Sequence, residues 1–137
     1  MAQFRVYLRF NGRCKEAMEF YKQIFGGELT LQTIGQSPMA AQMPAMRDKI
    51  MHSLLSSGNI QIMGSDMNPD EGYKHGNSIV LSLIGESKGE IETLFAKLAQ
   101  GGKVTHPINE EFFGTYGDLM DKFGVNWLFE YGTNQNQ

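Results

Sequence analysis

The chain has 137 residues, 15 acidic and 12 basic side chains, a net charge of −3, and 41% hydrophobic residues. This length suits one compact domain and is short for two ordinary ones, and the apolar fraction is far above that of disordered chains. A mildly acidic chain with no Lys/Arg cluster is a poor nucleic-acid binder, and apolar runs of at most four or five residues leave no membrane-spanning helix. The opening Met1-Ala2-Gln3-Phe4-Arg5 has no signal-peptide apolar core, so a cytoplasmic location is expected. Cys14 is the single cysteine, which excludes an internal disulfide and a cysteine zinc cluster. Nine methionines fit an adaptable pocket and an ordinary core equally well.

Residues 4–10 (FRVYLRF) alternate with period two, predicting a strand with Phe4, Val6, Leu8 and Phe10 on one face and Arg5, Tyr7 and Arg9 on the other. Cys14, Ala17, Met18, Tyr21, Ile24 and Phe25 then fall at helical spacing, predicting an amphipathic helix over 13–25 that Gly26-Gly27 stops. A strand is expected over 28–34. Residues 35–47 have no clear period and read as a loop or short helix, with Met39, Met43 and Met46 covering a cleft. Strands over 50–57 and 59–63 are joined by a hairpin at Ser57-Gly58, and the polar stretch 64–77 is a connector. A strand over 78–84 follows, with Ile79, Leu81 and Leu83 on one face. Next comes a helix over 87–100 opened by a Ser87/Glu90 capping-box pattern and closed by Gly101-Gly102. Strands over 103–108, 114–121 and 126–131 complete the pattern, with a turn at Gly124 and a polar, frayed tail from Thr133 to Gln137.

Shifting the chain by 75 residues lays Phe4, Val6 and Leu8 on Ile79, Leu81 and Leu83, and Gly26-Gly27 on Gly101-Gly102. The same shift lays Leu54 on Phe129 and His52 on Trp127. The expected fold is α+β: a single domain, 1–137, made of two βαβββ modules over about 1–70 and 77–132. Each sheet buries only the face its helix covers, so two modules can turn their other faces together as a cleft between curved mixed sheets. The strand parity puts Arg5, Tyr7 and Arg9 in that cleft from the first module and Ser78, Val80 and Ser82 from the second. A concave site with a few polar groups among apolar ones suits a small-molecule ligand. Small size and leftover apolar surface predict a homodimer.

Three stretches, FNGRCKEAMEFYKQIFGGEL (10–29), IMHSLLSSGNIQIMGSD (50–66) and FFGTYGDLMDKFGVNWLFE (112–130), resemble the PhnB-like branch of the vicinal oxygen chelate superfamily. That superfamily includes glyoxalase I, extradiol dioxygenases and bleomycin-resistance-like proteins. The resemblance implies the glyoxalase/bleomycin-resistance-like fold and leaves the reaction open, because the fold hosts both enzymes and binding proteins. Some relatives carry a ubiquinone-methyltransferase label, but the sequence has no glycine-rich cofactor loop to support it.

Metal-using relatives place His, Gln or Glu ligands on the facing strands. The positions that match here are Arg5, Ser78 or Val80, Leu128 and Ser53, which are poor ligands for a divalent ion. No glyoxalase-type metal quartet is therefore expected, although a divalent metal stays possible through His52. His52 is the one catalytic candidate, as a base or partial ligand in the cleft, or else it packs under the helix as its match to Trp127 suggests. His75 and His106 read as surface residues, and Asp66, Asp118, Asp121 and Glu130 are the carboxylates of interest. Asp121 reads as a turn cap and Glu130 as a cleft-mouth residue or a solvated strand end. Arg5 and Arg9 clamp an anionic ligand or pair with internal carboxylates. Cys14 reads as a structural thiol, and Phe113 as part of a pocket lid. The expected ligand-binding set is thus Arg5, Tyr7, Arg9, His52, Ser53, Ser78, Ser82, Phe113 and Glu130. The function that results is small-molecule binding without a metal, or alternatively a metal-dependent lyase, isomerase or dioxygenase using His52.

Overall fold

Period-two alternation at the start of the chain forms strand β1 (Val6–Phe10), and the stripe after it forms helix α1 (Cys14–Phe25). The structure is a computed structural model and describes residues 1–68 and 71–132. The chain divides into two compact units, Met1–Tyr73 and a second from Lys74 onward. In the first unit β2 (Glu28–Thr33), β3 (Ile50–Ser57) and β4 (Ile60–Asp66) follow α1. They form a sheet of order β1-β4-β3-β2, with β1 parallel to β4 and the other neighbours antiparallel. The second unit repeats the plan with β5 (Leu81–Ile84), α2 (Lys88–Ala99), β6 (Lys103–Glu111), β7 (Gly114–Met120) and β8 (Asn126–Tyr131). Its sheet order is β5-β8-β7-β6, and β5 is parallel to β8.

Each helix covers one face of its own sheet. Cys14, Ala17, Met18 and Tyr21 have the i, i+3, i+4, i+7 spacing of a single stripe, and all are buried with Phe10, Ile50, Leu55 and Ile62. In the second unit Ile91 and Leu98 are buried with Leu119, Trp127 and Phe129, and Phe95 meets Phe129 edge-on at 5.1 Å. The double glycines after the helices have a packing reason. A Cβ on Gly27 would lie 2.6 Å from Ser57 Cβ, and one on Gly102 would lie 2.9 Å from Asp121 Cα. Only glycine lets the chain leaving each helix approach the sheet so closely.

Two carboxylates tie these elements together. Arg13, at the N-cap of α1, makes no side-chain cap bond. Instead Asp66, at the end of β4, accepts the Cys14 N–H at 2.9 Å through Oδ1 and the Ile50 N–H at 2.9 Å through Oδ2. Asp121 is buried, and its Oδ1 accepts the N–H groups of Phe123 (2.8 Å) and Val125 (3.1 Å) while Oδ2 accepts Trp127 Nε1–H (2.8 Å). The expected turn-capping role of Asp121 is what the structure shows. At α2 the Ser87 hydroxyl accepts the Glu90 N–H at 3.1 Å, but Glu90 Oε1 reaches back to the Glu86 N–H (2.8 Å), so the reciprocal half of the box is displaced by one residue.

Several boundaries differ from the sequence reading. The first strand starts at Val6, so Phe4 is fully exposed and Arg5 precedes the strand. The fifth starts at Leu81, whose partner Trp127 opens the β5–β8 ladder, so Ser78, Ile79 and Val80 precede it and are exposed. β4 runs on through Gly64, Ser65 and Asp66, which shortens the predicted connector. The predicted frayed tail, 133–137, lies outside the described residues.

The repeat of 75 also holds only in part. The ladders align Leu29–Leu55–Ile62–Val6 in the first unit with Val104–Leu119–Trp127–Leu81 in the second. Val6/Leu81 and Leu29/Val104 keep the spacing of 75, but Leu55/Leu119 and Ile62/Trp127 are 64 and 65 apart. The difference arises because the first unit carries an extra segment between β2 and β3, which includes 3-10 turns at Ile34–Gln36 and Pro44–Met46. The neck of that segment is closed by backbone bonds from Ile34 N–H to Lys49 O and from Gly35 N–H to Arg47 O, both 2.9 Å. His52 therefore corresponds to Tyr116 rather than Trp127, and Leu54 to Asp118 rather than Phe129.

Candidate functional site

The face of each sheet opposite its helix carries the chemistry. In the first unit Tyr7 and Arg9 (β1), Gln61, Met63 and Ser65 (β4) and His52 and Leu54 (β3) share that face, because their neighbours Ile62, Gly64, Ser53 and Leu55 are buried on the helix side. The corrected correspondence removes the reason to bury His52, and its ring stacks on Tyr7 with centroids 6.1 Å apart and planes 28° apart. Tyr7, Arg9, Ser65, Asp66, Met67, Asn68 and Glu71 line a recess of about 260 Å³. Among the described residues Arg9 has no carboxylate within ion-pair distance, and the polar contact of Arg5 is with Met63 Sδ at 3.9 Å.

Ser53 does not belong to this face. Its side chain is buried under α1, donates to Gly64 O at 2.8 Å and lies 3.6 Å from Cys14 Sγ. The offset that made Ser53 the repeat mate of Leu128 fails for β3, and at the spacing of 65 the repeat mate of Leu128 is Met63. Ser78 lies outside any strand, whereas Ser82 is exposed on the helix-free face of β5.

In the second unit that face brings together residues far apart in sequence. Tyr116 and Asp118 alternate with buried Thr115, Gly117 and Leu119 along β7, and Glu130 lies opposite Tyr116 on β8. His106 Nδ1–H donates to Asp118 Oδ1 at 2.9 Å, and the Tyr116 hydroxyl donates to Asp118 Oδ2. The Tyr116 hydroxyl is pushed up to about 12, first by that hydrogen bond and then by burial and the charges of Asp118 and Glu130. Phe113 packs edge-on against Tyr116 at 5.9 Å and lines an open recess of about 560 Å³ with Phe112, Thr115 and Tyr131. His106 is a surface residue, as expected, and it is also paired with Asp118. The sequence signal available for it was the alternation Tyr116-Gly117-Asp118, which puts two polar groups on one face.

The resemblance to metal-using relatives implies an ion held on the first and last strands of each module. On the helix-free face those strands present Tyr7, Arg9, Gln61, Met63, Ser65, Ser82, Ile84, Leu128 and Glu130, with one carboxylate and no histidine. Among the described residues no three His, Cys, Asp or Glu side chains gather where they could hold an ion. These residues do not fit a glyoxalase-type centre.

Cys14 is buried, and burial pushes its thiol from 9.0 up to about 12, with the Ser53 hydrogen bond opposing and the Asp66 charge adding. Folding therefore favours the neutral thiol. Because the folded value is the higher one, the stability this contributes is present below pH 9 and lost as pH rises towards 12. Native protein at neutral pH is expected to leave a thiol-disulfide reagent unreacted until denaturant is added. Prompt release of a full equivalent from the native protein would contradict this.

A family model described as 3-demethylubiquinone-9 3-methyltransferase matches residues 2–129. The chain belongs to this family, the PhnB-like branch of the vicinal oxygen chelate superfamily. Protein PA1353 from Pseudomonas aeruginosa is 38% identical, with a TM-score of 0.87 over 98% of this chain and 100% of that one. A putative 3-demethylubiquinone-9 3-methyltransferase, PhnB protein, from Bacillus cereus is 25% identical, with a TM-score of 0.75 over 95% and 99%. Protein YjdN of Escherichia coli K12 is 29% identical, covering 89% of this chain and 90% of that protein. Two mixed four-stranded sheets, each with one helix, are what the sequence resemblance predicted; the parallel β1–β4 and β5–β8 pairings are what makes them mixed. No helix among the described residues is long and apolar enough to cross a membrane.

Proposed function

We propose that this PhnB-like protein binds a small aromatic carboxylate on the helix-free face of its first sheet, without a resident metal. The observation that carries the reading is the Tyr7–His52 stack beside Arg9, whose guanidinium has no carboxylate partner among the described residues. Ring faces favour a flat ligand, and a guanidinium fork matches a carboxylate in a bidentate pair. The recess of about 260 Å³ suits a ligand of one ring. Asp66 makes no ion pair with Arg9, and its oxygens are directed at the Cys14 and Ile50 amides. Glu71 on the rim favours a ligand whose far end is neutral or donates a hydrogen bond.

Thermal unfolding with benzoate, 4-hydroxybenzoate and S-adenosylmethionine tests this reading. A ligand at a hundredfold over its Kd adds about 2.7 kcal/mol, so the aromatic carboxylates are expected to raise the midpoint by several degrees. Arg9→Gln and His52→Ala should abolish the rise. A response to S-adenosylmethionine alone would move the assignment to the activity in the family's description. A stoichiometric divalent ion in protein purified without chelators, lost on His52→Ala, would overturn the metal-free part. The bound form is proposed to be a homodimer, and a monomer at micromolar concentration by light scattering of the same samples would contradict that.

A further inference from the structure

We infer that His106, Asp118 and Tyr116 form a proton-accepting site on the helix-free face of the second sheet, which takes a neutral aromatic hydroxyl. This goes beyond the carboxylate site of the first unit and shares no residue with it.

The local backbone is built for the placement of His106. The β6–β7 ladder shifts register on both sides of it, between Val104 and His106 and again between His106 and Asn109. Such bulges re-aim a side chain. Opposite the bulge is Gly117, where a Cβ would lie 2.8 Å from Ile108 Cγ1 and 3.0 Å from Ile108 Cα. The displaced strand can sit this close only because position 117 has no side chain, and the residues flanking it are Tyr116 and Asp118. Pro107 beside His106 is tolerated because β6 is an edge strand of this sheet.

The resulting geometry fixes one tautomer. Asp118 is the acceptor for both neighbours, taking the Tyr116 hydroxyl on Oδ2 and the imidazole on Oδ1 at 2.9 Å, and its side chain is only 16% exposed. A carboxylate committed in this way requires hydrogen on Nδ1, so in the neutral ring the lone pair is on Nε2. The His106 side chain is 66% exposed, so Nε2 is accessible. The charged groups on this face are Asp118 on β7, Glu130 on β8, and Glu111 and Lys103 on β6, Lys103 being in register with Met120, whereas Glu110 is in register with buried Thr115 and pairs with Lys88 of α2 at 3.1 Å. With three carboxylates to one ammonium, this face favours a ligand that arrives neutral, and the proton transfer leaves the net charge of the site plus ligand unchanged. Phe113 and Tyr116 supply ring edges for a flat neutral one. The ligand hydroxyl gives its proton to Nε2 and keeps the O–H electron pair as a phenolate. The new imidazolium keeps its Nδ1–H bond to Asp118, whose charge offsets it.

The probe is 4-nitrophenol, whose phenolate absorbs in the visible and whose phenol does not. About one pH unit below the free dye's own pKa, where only about a tenth of the dye is ionised, wild-type protein is expected to raise the phenolate band several-fold, saturating at one dye per chain. His106→Gln should abolish the increase. Asp118→Asn should bind dye yet show a several-fold smaller phenolate fraction, because the imidazole is then no longer held as the Nδ1–H tautomer. Tyr116→Phe should fall between them. Nitrogen NMR of the unliganded protein should find His106, assigned by its loss in His106→Gln, protonated on Nδ1, with the preference lost in Asp118→Asn. No dye binding to wild type, an undiminished phenolate band in His106→Gln, or His106 protonated on Nε2 would each overturn the inference.

Discussion

Replacing Asp121 with alanine is expected to destabilise the protein by about 3–5 kcal/mol, the largest single-site effect outside the apolar core. One buried carboxylate accepts from the Phe123 and Val125 amides and from the Trp127 indole. Alanine would leave all three donors without their partner in a region water cannot easily enter, and each such group costs about 1–3 kcal/mol. The three share one acceptor, so the costs do not add fully. Asp121→Asn keeps one carbonyl oxygen and should retain either the turn or the indole bond, at roughly half the loss. Urea denaturation reads the result as a lower midpoint at unchanged slope. A loss below about 1 kcal/mol would mean that the turn from β7 to β8 holds without this carboxylate.

The second large effect is expected at Asp66. Its two oxygens join the ends of three elements: β4, which carries it, α1 through the Cys14 amide, and β3 through the Ile50 amide. The carboxylate also sits at the positive end of the α1 dipole. Asp66→Ala should cost about 2–4 kcal/mol, combining a lost helix cap with an unpaired strand amide. Hydrogen exchange distinguishes this account from a general loosening. The Cys14 and Ile50 amides should exchange faster by a larger factor than amides in the second unit, and a uniform acceleration across both units would contradict the local role.

Much of this architecture was legible in the chain. The alternation from Val6 to Phe10 and the stripe Cys14, Ala17, Met18, Tyr21 fix which face of the first sheet is buried, and the structure keeps both. The reading failed where a local pattern had to be carried across a change in length. The extra segment between β2 and β3 moves β3 and β4 out of the repeat of 75, which misplaced Ser53 and obscured the position of His52. The strand expected over 78–84 begins three residues later, because alternation in sequence does not reveal where a partner begins, and pairing starts only at Leu81. The His106–Asp118 contact was missed for a third reason. Those residues are twelve apart on neighbouring strands, and a bulge, which periodicity does not encode, sets their register.

The closed neck of the segment between β2 and β3 has a consequence for how this lineage can change length. Because Ile34–Lys49 and Gly35–Arg47 already bring its two ends together, residues between them form a side branch whose size the sheet does not sense. Doubling a loop of this kind costs only about 0.6 kcal/mol in closure entropy. Insertions, deletions or a grafted peptide epitope near Ala41 can therefore be absorbed without altering the pairing of Gln32 with His52. The segment that breaks the internal symmetry of the chain is also the place where its descendants can most freely vary.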